Sequence, residues 1–274
     1  IQDAQRHGVA VRAIDVNHSH WRCTWEDRPA RGDRPAGAAR IGLRFVHGVT
    51  ADDAARIVAA REAGPLRGAE DLARRAALGP RVLRRLAETG ALAGFGLDRR
   101  EALWQVARVG RPAGPLFDDA PMDRAPAATP LAPMDAFAAT MADLTTSGVT
   151  VGPHPMAHLR AALTARDCTP LGQLEQMRHG ARVRIAGAVI VRQRPGSAKG
   201  VLFLTLEDET GMAQAIFPPD SDVLKQARNL GDCGALEIAG VLQRRDGVLA
   251  VQARAVEPLG GLPQAGRRGR VRVG

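Results

Sequence analysis

From Ala181 to Val256 the apolar residues recur at every second position, a period that admits little except paired strands. Val183, Ile185 and the run Ala188-Val189-Ile190-Val191 predict a first strand. Val201 to Glu207 predicts a second, with Leu202, Leu204 and Leu206 facing opposite to Val201, Phe203 and Thr205. Met212 to Phe217 predicts a third, and the turn residues Pro195 to Gly200 and Glu209-Thr210-Gly211 separate the three. Pro218 to Asn229 holds a helix. Ala235 to Gln243 and Val248 to Val256 predict two last strands, joined through Asp246-Gly247, a strong hairpin signal. Three strands, a helix and two strands is the order of a five-stranded OB-fold β-barrel, expected over 181–258.

Upstream the period is helical. IGLRFVHGVTADDAARIVAA, Ile41 to Ala60, reads as an apolar segment, a turn centred on Gly48, and a helix. Thr50 stands at the N-cap position, and Asp53 three residues later completes a capping box. The plan recurs: Leu72 to Ala77, then Leu78-Gly79-Pro80, then Val82 to Thr89, with Gly90 as the terminating glycine. The N–H groups at a helix start carry partial positive charge and favour anions such as phosphate. A tandem helix-hairpin-helix over 41–108 grips a nucleic-acid backbone in this way without reading bases. Gly48, Val49, Thr50 and Arg56 are the candidates in the first copy, and Gly79, Arg81, Arg84 and Arg85 in the second. A plain αα-hairpin with solvated arginines is the alternative, and Asp52 and Asp53 place negative charge beside the first turn.

Charge supports an anionic partner. The net charge is +9, of which 41–108 carries +4 and the tail 259–274 another +4, whereas 181–258 carries only +1. Nearly all cations are arginine, which suits phosphate, although a G+C-rich coding bias produces the same excess. Tyrosine is absent and aromatics are scarce, which limits base stacking. On the barrel, Arg192, Arg194, Lys199, Arg244 and Arg245 are the basic candidates for single-stranded nucleic acid, with Phe203 as either a stacking ring or core.

Other stretches set boundaries. Residues 1–40 begin with a helix end and a short strand, Val9 to Val16; Trp21 and Trp25 are expected to pack on the next domain. Residues 109–133, rich in Pro and Ala, form a linker with one apolar island, Leu116-Phe117, a possible partner contact. Residues 134–180 are expected as a helical connector, with helices at 134–144, 157–165 and 171–177, and 259–274 as a disordered Gly/Arg tail. Cys23, Cys168 and Cys233 are far apart and are expected as free buried thiols in a reducing, cytoplasmic setting. His154 and His158 are four apart, but Pro155 between them argues against a regular helical ligand pair, so no metal site is expected. Glu207, Asp208 and Glu209 sit at a hairpin end and are expected as surface acids, and no catalytic constellation is found. The chain opens Ile1-Gln2-Asp3 without methionine and is read as part of a longer protein; no signal peptide and no membrane-length apolar run is present.

RQRPGSAKGVLFLTLEDETGMAQAIFPP, Arg192 to Pro219, resembles the OB-fold of bacterial C-family DNA polymerases, the replicative α-subunit type. IGLRFVHGV, TSGVTVGPHPMAHLR (Thr146 to Arg160) and RHGVAVRAIDVNHS (Arg6 to Ser19) resemble the same family, and the RPG-AKG and GPHPM forms are most similar to its error-prone, damage-tolerant branch. The resemblance implies a C-terminal region whose parent extends primers by nucleotidyl transfer with Mg²⁺ held by palm carboxylates. No match to that palm motif is present, so this part is expected to bind DNA, to need no cofactor and to catalyse nothing alone. It further implies that residues 1–40 end the fingers, that the hairpins hold duplex primer-template, and that the barrel faces single-stranded template. The other reading is a protein-interaction module that docks the polymerase to accessory mutasome proteins or a sliding clamp, with 134–274 as the surface.

Overall fold

A computed structural model describes residues 1–27, 36–109, 131–230, 233–245 and 247–260. They divide into two compact units, Ile1–Gly152 and Pro153–Gly274. The expected connector therefore divides too: one helix belongs to the first unit and the remainder to the second.

In the first unit, helix α1 (Gln2–Arg6) precedes strands β1 (Ala10–Arg12), β2 (Thr24–Glu26) and β3 (Ala38–Arg40). Their sheet order is β1-β3-β2, with β1 parallel and β2 antiparallel to β3. Only Ala10–Arg12 of the Val9–Val16 stretch is strand. The sheet is locked by charge: buried Arg40 donates to both oxygens of Glu26 at 2.6 and 3.2 Å and to the Ala13 carbonyl at 2.9 Å. The Arg40 hydrogen bond holds the Glu26 carboxyl below the usual carboxylate range. Trp21 packs on the core, whereas Trp25 is 55% exposed and lies over Gly37, where any Cβ would collide with its ring.

A 3₁₀ turn at Leu43–Phe45 leads into α2 (Ala51–Glu62), followed by α3 (Ala69–Arg75), α4 (Pro80–Thr89), α5 (Arg99–Arg108) and α6 (Ala136–Ser147). Leu43, Ile57, Leu72, Leu83, Leu86 and Leu92 are fully buried and form the centre of one core. The expected capping box is present: Thr50 Oγ1 accepts from the Asp53 amide at 3.1 Å and Asp53 Oδ2 accepts from the Thr50 amide at 2.9 Å. Helix α5 carries a second capping box, Asp98 with Glu101. Helix α6 runs through Thr145, Thr146 and Ser147, the residues expected to end it. Their hydroxyls donate to carbonyls four residues back, so they sit in the helix without stray polar groups, and left-handed Gly148 stops it.

The second unit starts with a 3₁₀ segment, Pro155–Leu159, that runs into α7 (Arg160–Thr164). His154 caps it, its Nδ1 accepting from the Met156 amide at 3.1 Å. The stretch expected as a third connector helix is another 3₁₀ segment, Leu171–Gln176. Strands β4 (Arg182–Gln193), β5 (Leu202–Glu207), β6 (Met212–Phe217), β7 (Ala235–Arg245) and β8 (Val248–Pro258), with α8 (Asp222–Asn229) between β6 and β7, close a barrel in the order β4-β5-β6-β8-β7. The β6–β8 pair is parallel, as an OB-fold requires. Leu202, Leu204 and Leu206 point inward with Phe217, Ile238 and Val251, so the predicted facing holds.

Asp208 is a correction. It is fully buried rather than a surface acid. Its carboxylate accepts from the Leu171 amide at 2.9 Å, Arg160 Nη2 at 2.8 Å, the Thr210 amide at 2.8 Å, Thr210 Oγ1 at 2.6 Å and the Gly211 amide at 3.0 Å. Glu209 takes the other side of the same guanidinium. A buried carboxylate is tolerated only with such a full set of donors. Cys23 is likewise exposed rather than buried; Cys168 is buried, and burial raises its thiol pKa.

Candidate nucleic-acid interface

Both hairpin turns reach solvent. Gly48 is exposed with φ +88°, a left-handed conformation that asks for glycine. Leu43, Val46 and Val49 hold this turn from beneath: the Val46 amide donates to Leu43 O at 2.9 Å and the Val49 amide to Val46 O at 3.2 Å. Val49 therefore offers neither its buried side chain nor its N–H to a ligand. Thr50 is occupied too, its amide and hydroxyl both held by Asp53. Burial tends to raise the Asp53 pKa, but the Thr50 hydrogen bonds and Arg56 charge hold it below the usual range. The first helix thus starts on its own carboxylate.

The second turn is built otherwise. Gly79 is exposed at the N-cap of α4 with φ −73°, and a Cβ there would meet nothing within 4 Å. The left-handed residue of this turn is Ala77, with φ +48°. No side chain caps α4, and its first turn holds no acidic residue. Exposed Arg81 stands in that first turn without an ion pair among the described residues. Arg84 and Arg85 share Glu88, each at 2.9 Å, with side chains 73% and 43% exposed. Arg85 also lies beside the first turn: its Cγ and Nε are 3.7 and 3.8 Å from where a Gly48 Cβ would be. The fold therefore puts Arg81, Arg84 and Arg85 on one helix and brings Arg85 beside the Gly48 turn. Arg56 points elsewhere, donating to the Ala76 carbonyl at 3.1 Å and to Asp53.

Several arginines that the spacing left as a solvated face are internal ties. Arg75 donates to the carbonyls of Ala60, Gly64 and Pro65, and Arg61 to those of Val16 and Ser19. Carbonyls at a preceding helix end were the available signal, because they need donors.

On the barrel, Arg192, Arg194 and Lys199 are exposed at the β4–β5 connection, where Lys199 has φ +45° and Arg194 Nε donates to Gly200 O at 3.3 Å. Phe203 is half-buried on the outer face of β5, opposite Gln193 and Ile216. Arg244 Nη2 is held by the Glu175 carbonyl at 2.7 Å. Leu116 and Phe117 lie outside the described residues. Among the described residues no group of His, Cys, Asp and Glu could hold a metal, and no helix is long and apolar enough to cross a membrane.

Two family models match the chain: a helix-hairpin-helix motif over residues 8–102 and an OB-fold nucleic acid binding domain over 183–259. Curated relatives are similar along nearly all of it. The error-prone DNA polymerase of Pseudomonas paraeruginosa is 40% identical over 94% of this chain and 25% of its own length. Those of Alkalilimnicola ehrlichii and Azoarcus sp. are each 43% identical over 94% of this chain and 24% of their own. Among solved structures, an asparaginyl-tRNA synthetase from Pyrococcus horikoshii is similar over 34% of this chain and 22% of its own, at 22% identity and a TM-score of 0.29. The chain spans about a quarter of the length of the curated relatives it matches. By sequence nearly the whole chain is similar to a quarter-length segment of the error-prone DNA polymerases, made of a helix-hairpin-helix region followed by an OB-fold.

Proposed function

We propose that this chain is the DNA-binding C-terminal region of an error-prone DNA polymerase that serves translesion synthesis and DNA repair. Its hairpins grip duplex primer-template by the backbone, and its barrel takes single-stranded template. The observation that carries this reading is α4: a ten-residue helix with no capping side chain and no acid in its first turn, which carries Arg81, Arg84 and Arg85, with Arg85 beside the exposed Gly48 turn. The parent enzyme would add nucleotides with Mg²⁺, in the cytoplasm. The chain alone, which has no match to the palm carboxylate motif, would not. Fluorescence anisotropy with a labelled primer-template across ~50–200 mM salt tests the grip. Affinity should fall linearly in log-log form, by ~0.9 per phosphate contact; a flat response overturns it.

Partner docking is a second reading, favoured by Ile190, Val191, Met212 and Val248, which are large, apolar and exposed on a barrel of low net charge. Retention of clamp or mutasome proteins by the immobilised chain supports it, and loss of that retention on Met212→Ser with Val248→Ser would place it on these residues.

A further inference from the structure

The barrel carries a second basic surface away from the β4–β5 connection. A groove of about 690 Å³ lies over the N-terminal half of β4 and its neighbour β7, lined by Asp167, Arg182, Val183, Arg184, Ala239, Gly240, Val241 and Arg254. Its shape is written into the strands. Arg182 and Arg184 are two apart on β4 and so share a face, about 6.7 Å from each other along the strand. Across the sheet, Ala239 pairs with Ala255 but Gly240 with Ala253, so Arg254 is the extra residue of a β-bulge and leaves the regular ladder. Gly240 forms the floor: a Cβ there would sit 2.3 Å from the Gln252 carbonyl oxygen, so only glycine allows this close approach.

The three guanidinia differ in their ties. Arg184 Nη1 is held by buried Glu237 at 3.0 Å, whose other oxygen meets Arg166 at 2.8 Å. Arg182 and Arg254 are exposed and have no ion pair or side-chain hydrogen bond among the described residues. Asp167 contributes one negative charge to the lining, leaving cations in excess.

We propose that this groove binds the phosphate backbone of single-stranded nucleic acid, a track separate from Arg192, Arg194 and Lys199. Its lining has guanidinia with small and aliphatic residues but no aromatic platform, so it suits phosphates and not stacked bases. The choice of ligand rests on the nucleic-acid reading of the chain given above; the groove itself does not.

The test is binding of a fluorescent oligo-dT to the chain and to the Arg182→Gln/Arg254→Gln variant across ~50–200 mM salt. Both side chains are exposed and untied, so the thermal midpoint should stay put. The expected result is about tenfold weaker binding at ~50 mM salt and a log-log salt slope shallower by roughly 1.4, for two single-strand phosphate contacts. Unchanged affinity and slope in the variant, with the parent chain still binding, overturn the groove and leave the wider reading intact. Weaker binding to an acidic peptide without weaker binding to oligo-dT also overturns it. If the parent chain binds neither oligo-dT nor duplex, both readings fall.

Discussion

The two hairpins of the first unit share a sequence plan but treat their helix starts in opposite ways. Helix α2 begins on Thr50 and Asp53, which satisfy each other's amides and place a carboxylate where an anion would land. Helix α4 begins on Gly79-Pro80 with no capping side chain and with Arg81 beside it. The first arrangement stabilises the fold and disfavours phosphate; the second spends the Val82 and Leu83 amides on the Gly79 carbonyl and has no N–H at Pro80, so what it offers an anion is chiefly the charge of Arg81 and the absence of an acid. A repeated motif is thus not a repeated site. In the proposed reading one copy holds the scaffold, with its Gly48 turn beside Arg85, and the other meets the phosphates.

The largest expected break in this contrast is Arg81→Gln with Arg84→Gln. Duplex affinity should fall by about tenfold or more at ~50 mM salt, with a salt slope about 1.8 shallower; Arg56→Gln, on a side chain tied to the Ala76 carbonyl and Asp53, should leave the slope alone. Next is the backbone. Gly48→Ala forces a left-handed alanine and should cost about 1–2 kcal/mol in denaturant unfolding, whereas Gly79→Ala should stay within about 0.5 kcal/mol. Equal costs at both glycines would erase the distinction.

A smaller effect sharpens it. Gly79→Asp gives α4 the cap it lacks, so cap and helix dipole together should raise stability by about 0.5–1 kcal/mol while duplex binding weakens. The smallest is Asp53→Asn. Because the folded Asp53 pKa is lowered, its contribution is present above the ordinary carboxylate range and disappears as pH falls through the folded value. The variant should lose about 0.5 kcal/mol at neutral pH and nothing below that window, as read from thermal midpoints against pH.

Much of this is legible from residues alone. Strand alternation gives the barrel with its helix in place, because inward and outward faces alternate along each strand. Thr50 with Asp53 and the terminating Gly90 are readable because their chemistry acts within a few residues. The start of α5 is local too: Asp98 and Glu101 offer the same capping signal as α2, and it goes unread beside the more prominent hairpins. The other misses depend on distance in the chain. Asp208 looks like a hairpin acid because its partners, Arg160 and the Leu171 amide, lie about 40–50 residues earlier. Ala77, not Gly79, takes the left-handed turn, and nothing in an alanine announces that. Arg254 gains its place in the groove from a one-residue register shift.

The clasp on Asp208 also fixes where the barrel can be cut. A shortened version starting at the first strand, near residue 181, would keep the acid and its Thr210 and Gly211 donors but discard both Arg160 and the Leu171 amide, leaving Asp208 Oδ2 without the partners that hold it. A cut that keeps the clasp whole therefore falls near Pro153, where the compact unit begins, and the segment ahead of β4 is part of the barrel's own foundation.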